Sequence, residues 1–257
     1  MGKTAAMGAP AGIDWEWAKA TGGSLTAEQR RALLKPLART VVGYVAGRLR
    51  LAVGLRGNGR LNIDALRWPD STLAKEAEAQ AREVLSVDLL AHSYRTYLFG
   101  LVLAQLDGVQ VDEEVCYVAS LLHDLQLGDP TPGRCFAVAG GERAERFALD
   151  QGTEPARAAS IGAAIAAHIT VGASDDLADP GGFVSAGAFV DVSGARIDEM
   201  RPDWVADLLA RHPRHNLKHK LRGYWAAESL AVPDGRARWL TRTAGLPLLV
   251  RLAPFDE

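Results

Sequence analysis

Cysteine is nearly absent from this chain: Cys116 and Cys135 are the two among 257 residues. Two cysteines make no disulfide framework, and without a CxxC pair there is no thiolate zinc motif. This usage predicts a reducing, cytoplasmic setting. An excess of charge is missing too, with 29 Lys and Arg against 31 Asp and Glu. That balance removes the electrostatic reason to expect nucleic acid or an acidic membrane as a partner. No apolar run reaches the roughly 20 residues of a membrane span. The longest, Val41 to Leu55, is broken by Arg48 and Arg50 and reads as a buried helix. The beginning of the chain lacks the apolar stretch of a secretory signal. Ala6 stands where myristoylation needs a hydroxyl, and Gly2-Lys3-Thr4 lacks the glycine-rich run of a phosphate loop. These absences predict a soluble protein with no nucleic-acid partner and no membrane partner. Self-association into a homo-oligomer is left open.

Strand-like alternation is also scarce, and helical spacing is abundant. Thr26 with Gln29 forms a capping-box pattern ahead of apolar residues recurring from Leu33 through Val45. Asp70-Ser71 signals a second start, leading to Val84. Leu89 to Leu106, Glu113 to Leu127, Phe136 to Asp150 and Pro155 to Ile169 repeat the three- and four-residue spacing, with Gly, Asp or Pro between them. Further helices are predicted from Phe183 to Ile197, Trp204 to Arg211, Lys218 to Leu230 and Arg236 to Leu249, the last broken by Pro247. Residues 1 to 24 read as loosely ordered, with Trp15 and Trp17 to pin them. The expected fold is all-α, an irregular multi-helix bundle. Residues 1–80 form an N-terminal extension with helices packed on the core, and residues 81–257 a helical domain; no composition shift separates the two.

Five polar residues stand out against this apolar background. His123-Asp124 lies in Leu121-Leu122-His123-Asp124-Leu125. Adjacent helical residues point roughly 100° apart, so they grip one ion most easily near a helix end, and Gly128-Asp129-Pro130 supplies one. The bland alternative is a buried His paired with its neighbour. His92 shares a face with Leu89, Thr96 and Phe99, which turns it inward, and Arg95 lies beside it. Asp191 sits in the apolar run Ala188 to Gly194. His168, flanked by Ile161, Ala164 and Ile165, also points inward and is a candidate for proton transfer or a further ligand.

In this order, and with these flanks, His92, His123-Asp124 and Asp191 resemble the metal ligands of the HD superfamily of metal-dependent hydrolases. His92-Ser93 with Arg95, Tyr97, Phe99 and Gly100 is similar to the opening motif of its cyanamide hydratase-like branch. Leu121 to Leu125 is similar to the central motif, and Ala188 to Gly194 and Pro213-Arg214 to two later ones. The resemblance spans about residues 80 to 230. It departs from the branch at His168-Ile169-Thr170, where Gln and Asp follow the His, and at Gln126 to Asp129. Both departures bear on substrate more than on metal.

The resemblance implies an HD-type bundle with one divalent transition metal, zinc first and iron or manganese next, held by His92, His123, Asp124 and Asp191. It implies water activation, with Asp124, His168 and Arg95 as catalytic residues, Arg95 either orienting substrate or neutralising carboxylates. A small nitrile-like substrate is the first expectation. Phosphohydrolysis of a nucleotide is the alternative, and a dinuclear-iron oxygenase or a non-catalytic metal protein comes last, since His168 alone lies between Asp124 and Asp191. A compact, mostly apolar pocket is expected, with Arg134 as an outside candidate for reaching it. The Arg211 to Lys220 segment reads as a solvated loop and helix start, and Gly172 to Gly182 as a surface loop bordering the site.

Overall fold

The computed structural model describes residues 10–257, so the readings of Gly2-Lys3-Thr4 and Ala6 lie outside the described residues. Asp14 opens helix α1 (Trp15–Thr21) by accepting from the Trp17 amide at 2.8 Å. The segment expected to be loose is ordered from here because Trp15 fills the hollow over Gly141 and Gly162. A methyl group on either glycine would meet its ring at about 3 Å.

The capping box of Thr26 and Gln29 forms with both of its hydrogen bonds and starts α2 (Ala27–Ala32). The next helix, α3 (Leu34–Ala52), departs from expectation. It buries only Pro36 and leaves Val42, Leu49 and Val53 exposed. Ser71 caps α4 (Thr72–Val84) at 3.1 Å. In α5 (Val87–Asp107) every residue from Ala91 to Ala104 is buried. A helix that is enclosed on all sides is the axis of its domain.

Around it follow α6 (Glu113–Leu122), α7 (Phe136–Asp150), α8 (Pro155–Ala167) and α9 (Pro180–Ser193). Then come α10 (Pro202–Arg211), α11 (Leu217–Ala231), α12 (Arg236–Thr243) and α13 (Leu246–Leu252). The fold is all-α: among the described residues there is no strand, only isolated bridges such as Ser24 with Gly235. No helix among them is long and apolar enough to cross a membrane. Pro247 lies in the first turn of α13 rather than breaking a longer helix, since Gly245, at φ +65°, has already turned the chain. The main apolar core takes side chains from Ala18 through to Phe255, so the 1–80 and 81–257 segments share it.

Two helix pairs set the geometry that follows. α5 and α9 run antiparallel at unusually close range. Gly100 receives the Phe183 ring, and a Cβ at Gly187 would lie 2.0 Å from the Thr96 carbonyl oxygen. One turn further, His92 meets Asp191. Meanwhile α6 and α8 start at the same end of the molecule. Arg157, in the first turn of α8, pairs at 2.6 Å with Asp112, the N-cap of α6. They therefore run side by side and end side by side.

Candidate metal centre

α6 ends at Leu122 and α8 at Ala167, earlier than the apolar spacing suggests, and each is closed by a histidine. The last carbonyls of a helix have no partner within it. His123 Nδ1 donates to the Ser120 carbonyl at 2.7 Å, and His168 Nδ1 to the Ile165 carbonyl at 2.6 Å. On α5, His92 Nδ1 donates to Asp191 Oδ2 at 2.6 Å. A carbonyl or an ionised carboxylate only accepts, so each of these imidazoles keeps its proton on Nδ1 and its lone pair on Nε2.

All three lone pairs are turned toward Asp124. Its carboxylate oxygens lie 3.3 Å from His123 Nε2, 3.7 Å from His92 Nε2 and 3.9 Å from His168 Nε2. His92, His123 and Asp124 are buried and offer ligand atoms within 4.8 Å of one another, a group that can hold a metal ion. The donor set fits one, because two neutral imidazoles and a carboxylate suit a divalent transition metal. The parallel ends of α6 and α8 add to the fit, since the C-terminus of a helix carries partial negative charge and favours a cation.

Asp191, expected as the fourth ligand, sits behind His92 instead. Its Oδ1 accepts from Arg95 Nε at 2.8 Å and from Arg214 Nη1 at 2.7 Å, while Oδ2 accepts from Arg95 Nη2 at 2.8 Å and from His92. With both oxygens engaged, this carboxylate orients the ring of His92 and fixes its tautomer. Of the two roles expected for Arg95, its position matches the neutralising one: the guanidinium is fully buried on Asp191 and on the carbonyls of His212 and Pro213, away from the cavity wall.

Arg214, present in the sequence only as part of the Pro213-Arg214 motif, has a place in the centre that the motif did not assign. Its side chain is 1% exposed inside a segment expected to be solvated. The Pro213-Arg214 motif was the available signal. The other charges of that segment are engaged one by one: Lys220 by Asp88, Arg211 by Asp64 and Lys218 by the carbonyls of Ala253 and Phe255. Arg134 pairs with Glu142 and does not reach the site.

Burial pushes the Asp124 carboxyl up, but His123, His92 and His168 outweigh it and hold the group well below the usual carboxylate range. The same contest at Asp191 is decided by Arg95 and Arg214, again downward. Burial, reinforced by His123, holds His168 down to about 3. Burial likewise lowers His92 against the pull of Asp191, whereas Asp124 raises His123 in spite of burial. The site thus rests as two ionised carboxylates among imidazoles of unequal basicity. Neither cysteine takes part; both are buried and unpaired, and burial lifts the Cys116 thiol to about 12.

A cavity of about 320 Å³ opens from the cluster. His92, His123, Asp124 and His168 line its floor, and Leu37, Val41, Tyr44 and Val45 of α3 form part of its roof. Its wall is apolar as expected, with no Lys or Arg among the described residues that line it, but it is larger than a linear nitrile needs. The 172–182 segment borders it through Gly172 and Ser174. Asp179 caps α9 through the amides of Gly181 and Gly182, and Asp175 lies 3.5 Å from Arg39.

The chain matches no protein-family model and no curated protein. What can be said of its chemistry comes from the residues themselves.

Proposed function

We propose that this protein is a metal-dependent hydrolase or hydratase of the HD type, adding water to an uncharged electrophile such as a nitrile or amide carbon. The observation that carries the reading is the common orientation of three buried imidazoles, each with Nδ1 anchored and Nε2 turned toward Asp124. A core histidine placed only for packing has no reason to share a focus with two others. Catalytic metal sites hold about three protein ligands and keep a position open, and His92, His123 and Asp124 supply that number. The HD-like order of His92, His123-Asp124 and Asp191 supports the same reading, with Asp191 as the partner of His92 rather than a ligand.

A divalent zinc, iron or manganese ion, when bound, lowers the pKa of a water from ~15.7 toward ~7. The rest falls to the chain. Asp124 stays ionised and acts as a ligand, not as the proton acceptor. His168 Nε2, at the edge of the cluster, accepts the proton as water adds to the substrate carbon. From there the proton passes to the substrate nitrogen. Asp191, Arg95 and Arg214 keep His92 aligned, and the apolar wall excludes bulk water. Phosphohydrolysis is disfavoured, because a phosphate needs converging cationic donors and no Lys or Arg among the described residues lines the cavity.

The test is metal analysis of protein purified without chelator. One equivalent of transition metal per chain is expected, lost in His123→Ala and in Asp124→Ala. Metal retained in both variants would overturn the reading.

A further inference from the structure

The cavity says more about the substrate than the cluster does. Its floor is a compact polar patch, and its volume of about 320 Å³ falls in the range of sites that enclose drug-sized ligands, ~300–1,000 Å³. Above the floor the wall is built by apolar side chains from separate helices: Leu127 and Phe136 low down, Val192 of α9, Trp225 of α11, Leu249 of α13 and Val41 of α3. Polar side chains of the wall above the floor are limited to Thr40, Tyr44, Thr170, Ser174 and Ser185. Wall residues of such different origin share one property, and folding alone does not demand an unfilled apolar space beside a buried charged cluster. Cores close to the density of organic crystals, and an apolar void forfeits contacts on every side.

The buried cationic groups around the floor are already engaged. Arg95 and Arg214 are both bound to Asp191, and Arg236 is bound to the Ala166 carbonyl and the Thr170 hydroxyl. A ligand filling this space therefore finds no free cation for an anionic group, and along its length it meets mostly apolar side chains.

We propose that the substrate is lipophilic: an uncharged polar head, of nitrile or amide type, seated on the His92, His123, Asp124 and His168 floor, with an extended aliphatic body occupying the cavity up to α3 and α13. The head rests on the preceding reading of the cluster as the reacting end; the body rests on the cavity alone. Entry is at the roof, where Val41 and Val45 line the cavity and are 43% and 48% exposed. Chemically, the enzyme then belongs to a sequence in which a preceding reaction supplies a long-chain nitrogen compound and a following one consumes its hydration or hydrolysis product.

Binding separates the two ideas. Straight-chain primary amides from butanamide to octanamide are titrated calorimetrically into the full-length protein, as purified and as the metal-free His123→Ala variant. Each added methylene is expected to tighten binding about fourfold, the equivalent of ~0.8 kcal/mol. Ala188→Phe and Leu249→Trp, which fill the cavity from α9 and from α13, are expected to abolish this gain; two variants guard against one failing to fold. Affinity independent of chain length, or a gain that survives both fillings, overturns the proposal. A chain-length gain in His123→Ala as well as in the wild type places the lipophilic body in the cavity alone; the same gain in wild-type protein that carries no metal as purified sustains the lipophilic body and sinks the metal reading instead.

Discussion

Arg95 and Asp191 face each other as a two-pronged pair, Nε on Oδ1 and Nη2 on Oδ2, both at 2.8 Å and both fully buried. The pair joins residues 96 positions apart in the chain and ends on His92. A buried pair of this kind is costly to break, because the surviving charge is left without water or partner.

Asp191→Asn keeps the shape and removes the charge that Arg95 and Arg214 face. Loss of about 3–5 kcal/mol of stability is expected, together with roughly 10- to 100-fold weaker metal binding through the freed His92 ring. Thermal denaturation and competitive metal titration measure the two. Unchanged metal affinity would show that the His92 contact to Asp191 does not matter to the centre.

His168→Ala separates proton transfer from ligation. The variant is expected to keep its metal equivalent while kcat falls by about 10²- to 10⁴-fold. Loss of the metal in this variant would make His168 a ligand.

The pH dependence has a definite sign. Burial, with Arg95 next, lowers His212 to about 4, and His168 lies at about 3, against an ordinary value near 6.5. Both are neutral in the fold but take a proton when unfolded, so their contribution is present above about pH 6.5. It declines as pH falls below that value and is gone below about 3. The melting temperature of chelator-treated protein is expected to drop between pH 6.5 and 5, and less so in His212→Phe. A flat curve over that interval counts against the buried neutral imidazoles.

Hydrogen exchange reads the contrast between α3 and α5. Amides of α3, which buries only Pro36, are expected to exchange through local opening, and those of Ala91 to Ala104 only on global unfolding. Equal protection would mean that the roof of the cavity is fixed.

Much of this was legible in the sequence for a physical reason. A polar residue inside an apolar helical period declares itself, so His92, His123, Asp124 and His168 could be singled out one at a time, as could the Thr26 cap. Asp191 was found, but its bonds to Arg95 and Arg214 behind His92 were not foreseen, because Arg214 lies in a segment that looks like ordinary charged surface. Helix ends were hidden at Leu122, where Leu125 and Leu127 carry the apolar spacing on through the turn. The exposure of α3 was hidden by a pattern indistinguishable from that of a core helix; what it covers is a cavity, and empty space leaves no trace in a sequence.

Gly187 has no side chain to coordinate, titrate or donate, yet it sits one turn from Asp191 and opposite Thr96, itself one turn from His92. Its missing methyl lets the backbones of α5 and α9 touch, which brings the imidazole and the carboxylate to 2.6 Å. A mutational scan scored on metal content would therefore flag position 187 alongside the ligands. Drawn from such a scan, the apparent binding site would be larger than the true one, and its outline would trace the helix contact rather than the chemistry.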